Sequence, residues 1–70
     1  MHNYEITLWW SDEDAVFVAE VRELPGRMAH GATESKAIEA VKDAIELWID
    51  VARAAGDPIP EPRHRRALHA

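Results

Sequence analysis

The sequence predicts an α+β fold: a small antiparallel-type sheet with one long helix packed on one face, in the order β-β-β-α-β. Three observations predict it. Residues 33–56, TESKAIEAVKDAIELWIDVARAAG, place apolar side chains at the i, i+3, i+4, i+7 spacing of a helix with one buried face. Two earlier stretches, YEITLWW and AVFVAEVR, alternate with a period of two, as strands do. Short polar or Pro-Gly segments separate the stretches, so consecutive elements turn back on one another.

In the first strand, Tyr4 to Trp10, the side chains of Tyr4, Ile6, Leu8 and Trp10 share one face, and Glu5, Thr7 and Trp9 share the other. Ser11-Asp12-Glu13-Asp14 is a polar connection whose side chains bond locally to backbone. The second strand, Ala15 to Arg22, sets Phe17, Ala19 and Val21 against Val16, Val18 and Glu20. A link this short makes an antiparallel hairpin the simplest arrangement. Glu23-Leu24-Pro25-Gly26 ends the strand, since Pro presets φ and Gly permits positive φ. Arg27 to His30 is short and is read as a third strand returning beside the second, with Gly31 breaking it.

With Val41 at the centre of a helical wheel of about 100° per residue, Ala37, Ile38, Ala44, Ile45, Trp48, Ala52 and Ala55 cluster around it. Ile49 and Val51 flank that cluster, and Glu39, Asp43, Glu46 and Asp50 fall opposite. Thr33 is the expected N-cap, with Glu34 placed well for the helix dipole. The capping box is incomplete because Lys36 stands where Glu or Gln would reach back. Gly56 suits the left-handed position that ends a helix. Residues 57–62, DPIPEP, form an extended Pro-rich connection, and the basic tail 63–70 is read as a final short strand.

The 70 residues are expected to form a single domain. A domain of this size buries only about 60% of its unfolded surface, and such domains often gain stability by oligomerising. There is no cysteine, hence no disulfide and no thiolate metal site. The sequence has no run of about 18 apolar residues. It also has no basic-then-apolar leader, so a cytoplasmic location is expected. Residues 1–62 carry all 13 acids against five bases, a net of −8, while Arg63, Arg65 and Arg66 make the tail +3. An acidic body repels phosphate backbones and suits a basic protein partner, so no direct nucleic-acid partner is expected. RHRR at 63–66, without interleaved aromatics, is a weak nucleic-acid signal and a better edge strand. Its arginines could also pair with acids of the same or a neighbouring subunit, each exposed pair contributing about 0–1 kcal/mol.

Candidate chemistry is sparse. A two-metal nuclease needs several carboxylates converging on ions roughly 4 Å apart. The first strand offers only Glu5 near its start, followed on the same face by Thr7 and Trp9. Asp12, Glu13 and Asp14 lie in a turn, and Glu39, Asp43, Glu46 and Asp50 face away from the core. His2, His30, His64 and His69 lack the spacing of a helical metal site and have no cysteine companions. No catalytic residue, metal or cofactor is therefore expected. The acidic ridge Glu39, Asp43, Glu46 and Asp50 reads either as the solvated back of a surface helix or as a docking face for a basic partner. Trp9 and Trp10 are adjacent and must face opposite sides of the sheet, so one lies on the side the helix leaves open, a reason to expect association.

The ordered set YEITLWW, an acidic turn, AVFVAEV, ELPG, MAHGAT, a long helix containing AIELWI, and GDPIPEP resembles the HicB antitoxin family. The likeness runs from Tyr4 to about Arg66. It implies a partly degraded RNase H-like fold without catalytic activity. It also implies self-association through the sheet domain as a dimer or tetramer, and a HicA-like toxin as partner, a small basic ribonuclease with an active-site histidine. Many members of that family carry a C-terminal DNA-binding domain, and nothing after Pro62 here suggests one, so transcriptional autoregulation is not carried over. The expected function is neutralisation of a HicA-type toxin by protein–protein contact. The alternative is a solitary oligomeric scaffold or regulatory domain with no toxin.

Overall fold

A computed structural model describes residues 4–24 and 26–62. It contains three strands, β1 (Ile6–Ser11), β2 (Val16–Val21) and β3 (Arg27–Gly31), followed by one helix, α1 (Glu34–Ala55). The strands form one antiparallel sheet in the order β1-β2-β3. This is the expected α+β arrangement, with the short third segment confirmed as a strand. The final strand expected at 63–70 lies outside the described residues.

The register divides the side chains cleanly. Ile6 pairs with Val21, Leu8 with Ala19 and Trp10 with Phe17, while across the next ladder Val21 pairs with Arg27, Ala19 with Ala29 and Phe17 with Gly31. These residues share the face that α1 covers. Thr7, Trp9, Val16, Val18, Glu20, Met28 and His30 occupy the other face. β1 starts two residues later than the alternation suggests. Tyr4 precedes it, yet is buried in the core, with its hydroxyl donating to the Pro60 carbonyl. That bond, together with Ile59 packed against the core, holds the Pro-rich segment beside the start of the chain.

The hairpin turn runs Asp12–Ala15, with Ser11 and Val16 as its closing pair. Asp12 Oδ1 accepts from Trp10 Nε1 at 2.8 Å, so this turn carboxylate is held locally. Ala15 adopts φ 53°, the left-handed region that costs an L residue with a Cβ about 1–2 kcal/mol.

Both ends of α1 are capped as the sequence predicts. Thr33 Oγ1 accepts from the Lys36 N–H at 3.1 Å. Gly56, at φ 73°, donates its N–H to the Arg53 carbonyl, and the Asp57 N–H reaches the Ala52 carbonyl at 2.8 Å. Those two bonds form a Schellman motif and satisfy carbonyls the helix would otherwise leave open. The buried stripe is Ala37, Val41, Ile45, Ile49 and Ala52. It is therefore centred between Val41 and Ile45 rather than on Val41. Ile49, expected at the flank, is wholly inside, and Val51 on the opposite flank is 60% exposed. Among the described residues, no helix is long and apolar enough to cross a membrane.

The core joins this stripe to Tyr4, Ala19, Val21 and Leu24. The helix lies over β3 and β2 and only grazes β1. Trp10 consequently stays 47% exposed on the helix side, its ring edge-on to Phe17 at 4.9 Å between centroids. Gly31 is more than the strand breaker the sequence suggests. It pairs with Phe17 as the last residue of β3, and a Cβ there would sit 2.5 Å from the Ala37 nitrogen and 2.7 Å from the Lys36 carbonyl carbon. Only a residue without a side chain lets the first turn of α1 approach the sheet so closely.

Three outcomes follow from these contacts. Gly31→Ala should cost at least about 1–3 kcal/mol, read as a lower urea midpoint, because the clash is with backbone that cannot rotate away. Ala15→Gly should raise the same midpoint, corresponding to about 1 kcal/mol of added stability, by relieving the left-handed alanine. Burial first, and then the nearby Glu23 charge, push the Tyr4 phenol above its ordinary 10.0. A raised folded value favours the neutral form in the native state, so this contribution is complete below about pH 10 and lost as pH rises beyond it. Tyr4→Phe should lower stability at neutral pH and flatten that alkaline loss in pH-dependent unfolding.

Candidate functional site

Three surfaces remain after the core is accounted for. The first is the back of α1. Glu39, Asp43, Glu46 and Asp50 are all exposed, and their spacing keeps them on the side of the helix opposite the buried stripe. Lys42 is the one base interleaved among them, so the ridge is a strongly negative strip about three turns long. The structure thus brings the four expected residues together on one exposed strip. It does not turn them toward any cavity, and among the described residues no group of three or more His, Cys, Asp or Glu is placed to hold a metal ion.

The second surface is the face of the sheet opposite α1. Adjacent Trp9 and Trp10 do face opposite ways, and Trp9 is the one on this side, 38% exposed. Met28, 50% exposed, lies here too, around the half-buried Val16 and Val18. Val16, Val18, Met28 and His30 line a groove of about 480 Å³, with Asp14 at its rim. Glu20 and His30 are the only ionisable side chains on the three strands of this face. The face is apolar at its centre, which is unusual for a surface in contact with water.

The third surface lies at the far end of the helix. Leu47 and Val51, one turn apart and each 60% exposed, line a shallow groove of about 350 Å³ with Trp48, Ala52, Arg27 and Asp57. Arg27 stands on the helix-covered face of β3, and its buried Nε has no hydrogen-bond partner among the described residues. Periodicity alone does not mark this groove. Leu47 was absent from the expected buried cluster, and that mismatch between an apolar residue and an outward wheel position was the available signal.

The UPF0150 protein Ta0767 of Thermoplasma acidophilum is 35% identical over 49 residues, which span 70% of this chain and 71% of that protein. No solved structure matches the chain significantly. The family model described as UPF0150-like matches residues 3–60, spanning all three strands, the helix and the start of the Pro-rich segment, and the chain belongs to that family.

Proposed function

We propose that this protein is a HicB-like antitoxin that binds a HicA-type ribonuclease toxin and neutralises it by contact, with no catalysis of its own. The observation that carries the reading is the exposed ridge Glu39, Asp43, Glu46 and Asp50 on a helix whose opposite face is committed to the core. A rigid, capped helix presents these charges in a fixed array. Such an array speeds encounter with a basic partner and fixes its orientation. The motif set that resembles HicB antitoxins, and membership of the UPF0150-like family, support the assignment. The placement of Thr7 and Trp9 fits the same reading, since they fill strand positions where an RNase H-like site would need acids. The partly degraded RNase H likeness belongs to the same proposal and rests on the same resemblance.

The proposal includes self-association. The uncovered sheet face, with Trp9 and Met28 exposed on it, supports an oligomer, and would equally serve a scaffold that has no toxin.

Affinity capture from the native host separates these readings. The wild-type chain should retain a small basic ribonuclease and suppress its RNA cleavage. The combined reversal Glu39→Lys, Asp43→Lys, Glu46→Lys and Asp50→Lys should weaken that complex about tenfold or more and make it less salt-sensitive. Equal recovery by both proteins would remove the ridge as the docking face, and recovery of no ribonuclease by either would favour the scaffold.

A further inference from the structure

We propose that the uncovered face of the sheet is a two-fold interface with a second copy of this chain, in which the two sheets cross at nearly a right angle. The proposal deepens the self-association put forward above, on which it rests, by naming the face and the pairing.

The geometry comes from the strand register. Val18 sits at the centre of the face, with Trp9 on one side and His30 on the other across the strands. Along β2, Val16 lies before it and Glu20 after it. These five side chains form a cross. A two-fold axis in the plane of the face can run along the strands, across them, or along either diagonal. An axis along the strands sets Glu20 against Glu20 and Trp9 against His30. An axis across them sets His30 against His30 and buries Glu20 on Val16. One diagonal places Glu20 on Trp9 and His30 on Val16. Each of these three opposes like groups or buries a charge against an apolar surface.

The other diagonal satisfies all five positions of the cross. It places Glu20 of each copy on His30 of the other, Trp9 on Val16, Val18 on Val18 and Met28 on Met28. Shape agrees with charge in this arrangement. The projecting indole of Trp9 enters the groove that Val16, Val18, Met28 and His30 line, and does so twice by symmetry. The knob and the hole lie on one face, which a self-complementary two-fold interface requires. Orthogonal sheet packing is an established way for two sheets to meet.

Size sets the expected strength. Three strands about 4.8 Å apart, two of six residues and one of five, present a footprint of roughly 15 by 20 Å. That is smaller than the roughly 800 Å² per partner of a standard stable interface, so a dimer with micromolar dissociation is expected.

Sedimentation equilibrium of the full chain from about 10 μM to about 1 mM tests the proposal, with helical circular dichroism as the folding control. The expected result is a monomer–dimer equilibrium. Val18→Glu and Trp9→Lys should each raise the dissociation constant about tenfold or more. Glu20→Lys should weaken the dimer, and adding His30→Glu to it should restore the wild-type constant. Met28→Cys, in a chain with no other cysteine, should be joined to its copy by a short bis-maleimide reagent, because Met28 lies on the axis and facing sheets stand about 10 Å apart, too far for a direct disulfide, while Leu47→Cys should not. A wild-type chain that stays monomeric throughout overturns both the interface and the self-association, and leaves toxin capture to be judged separately. A dimer that survives Val18→Glu, or that is lost on Leu47→Glu instead, overturns this face alone. Failure of the charge swap to restore the dimer, or of Met28→Cys to cross-link, overturns the crossed pairing.

Discussion

The whole structure depends on how closely one helix can lie on a three-stranded sheet. Small side chains make that approach possible. Ala19, Ala29 and Gly31 present almost no bulk toward α1, and Ala37 presents little in return. Gly31 is the tightest point, where even a methyl group would collide with the helix backbone. The larger residues Val21, Leu24, Val41, Ile45 and Ile49 then fill the space further along, and Tyr4 and Ile59 close it. Interiors pack like crystals, so the first contact fixes the spacing for all the rest.

That single layer of contact explains why the domain leaves so much surface with unfinished business. One helix is spent on one face, and a sheet has two. The buried stripe uses five positions of a 22-residue helix. The opposite side of the helix carries the exposed acids Glu39, Asp43, Glu46 and Asp50, on the side away from the sheet. The opposite side of the sheet is not polar in the same way, for Trp9, Val16, Val18 and Met28 lie there. The two exposed surfaces are therefore different in kind. An acidic ridge is stable in water alone, whereas an apolar sheet face gains from being covered. They also lie on opposite sides of the domain, so a partner on one does not obstruct a partner on the other.

Charge is distributed in keeping with that division. The ridge offers long-range attraction to a basic molecule and short-range repulsion between copies that might otherwise stack helix to helix. The sheet face carries only one carboxylate and one imidazole on its strands, enough to choose an orientation without making burial costly. The chain belongs to the UPF0150-like family, and the antitoxin role is the reading proposed for it. The division of surfaces describes how one small domain could hold a partner and a second copy of itself at once.

Much of this was readable from the sequence because it depends on local periodicity. The 3.6-residue pattern, the Thr33 and Gly56 caps and the acidic ridge all follow from spacing along one helix, and a helix imposes that spacing by itself. The alternation in the first two strands is equally local. What spacing leaves open is which of two equivalent faces goes inward. Trp9 and Trp10 are interchangeable by parity, and the register with Val18 and Phe17 separates them. In β3 the local hydrophobic rule points the wrong way: Met28 faces outward, while Arg27, Ala29 and Gly31 face the helix. Pairing with β2 and the need for Gly31 beneath α1 outweigh the transfer of one methionine. The helix wheel likewise placed its centre a little off, because only the position of the sheet decides that Ile49 is inside and Val51 outside. The sequence alone determined the elements and the charge of the ridge. The tertiary structure decided which faces meet, since close packing is a property of two surfaces together.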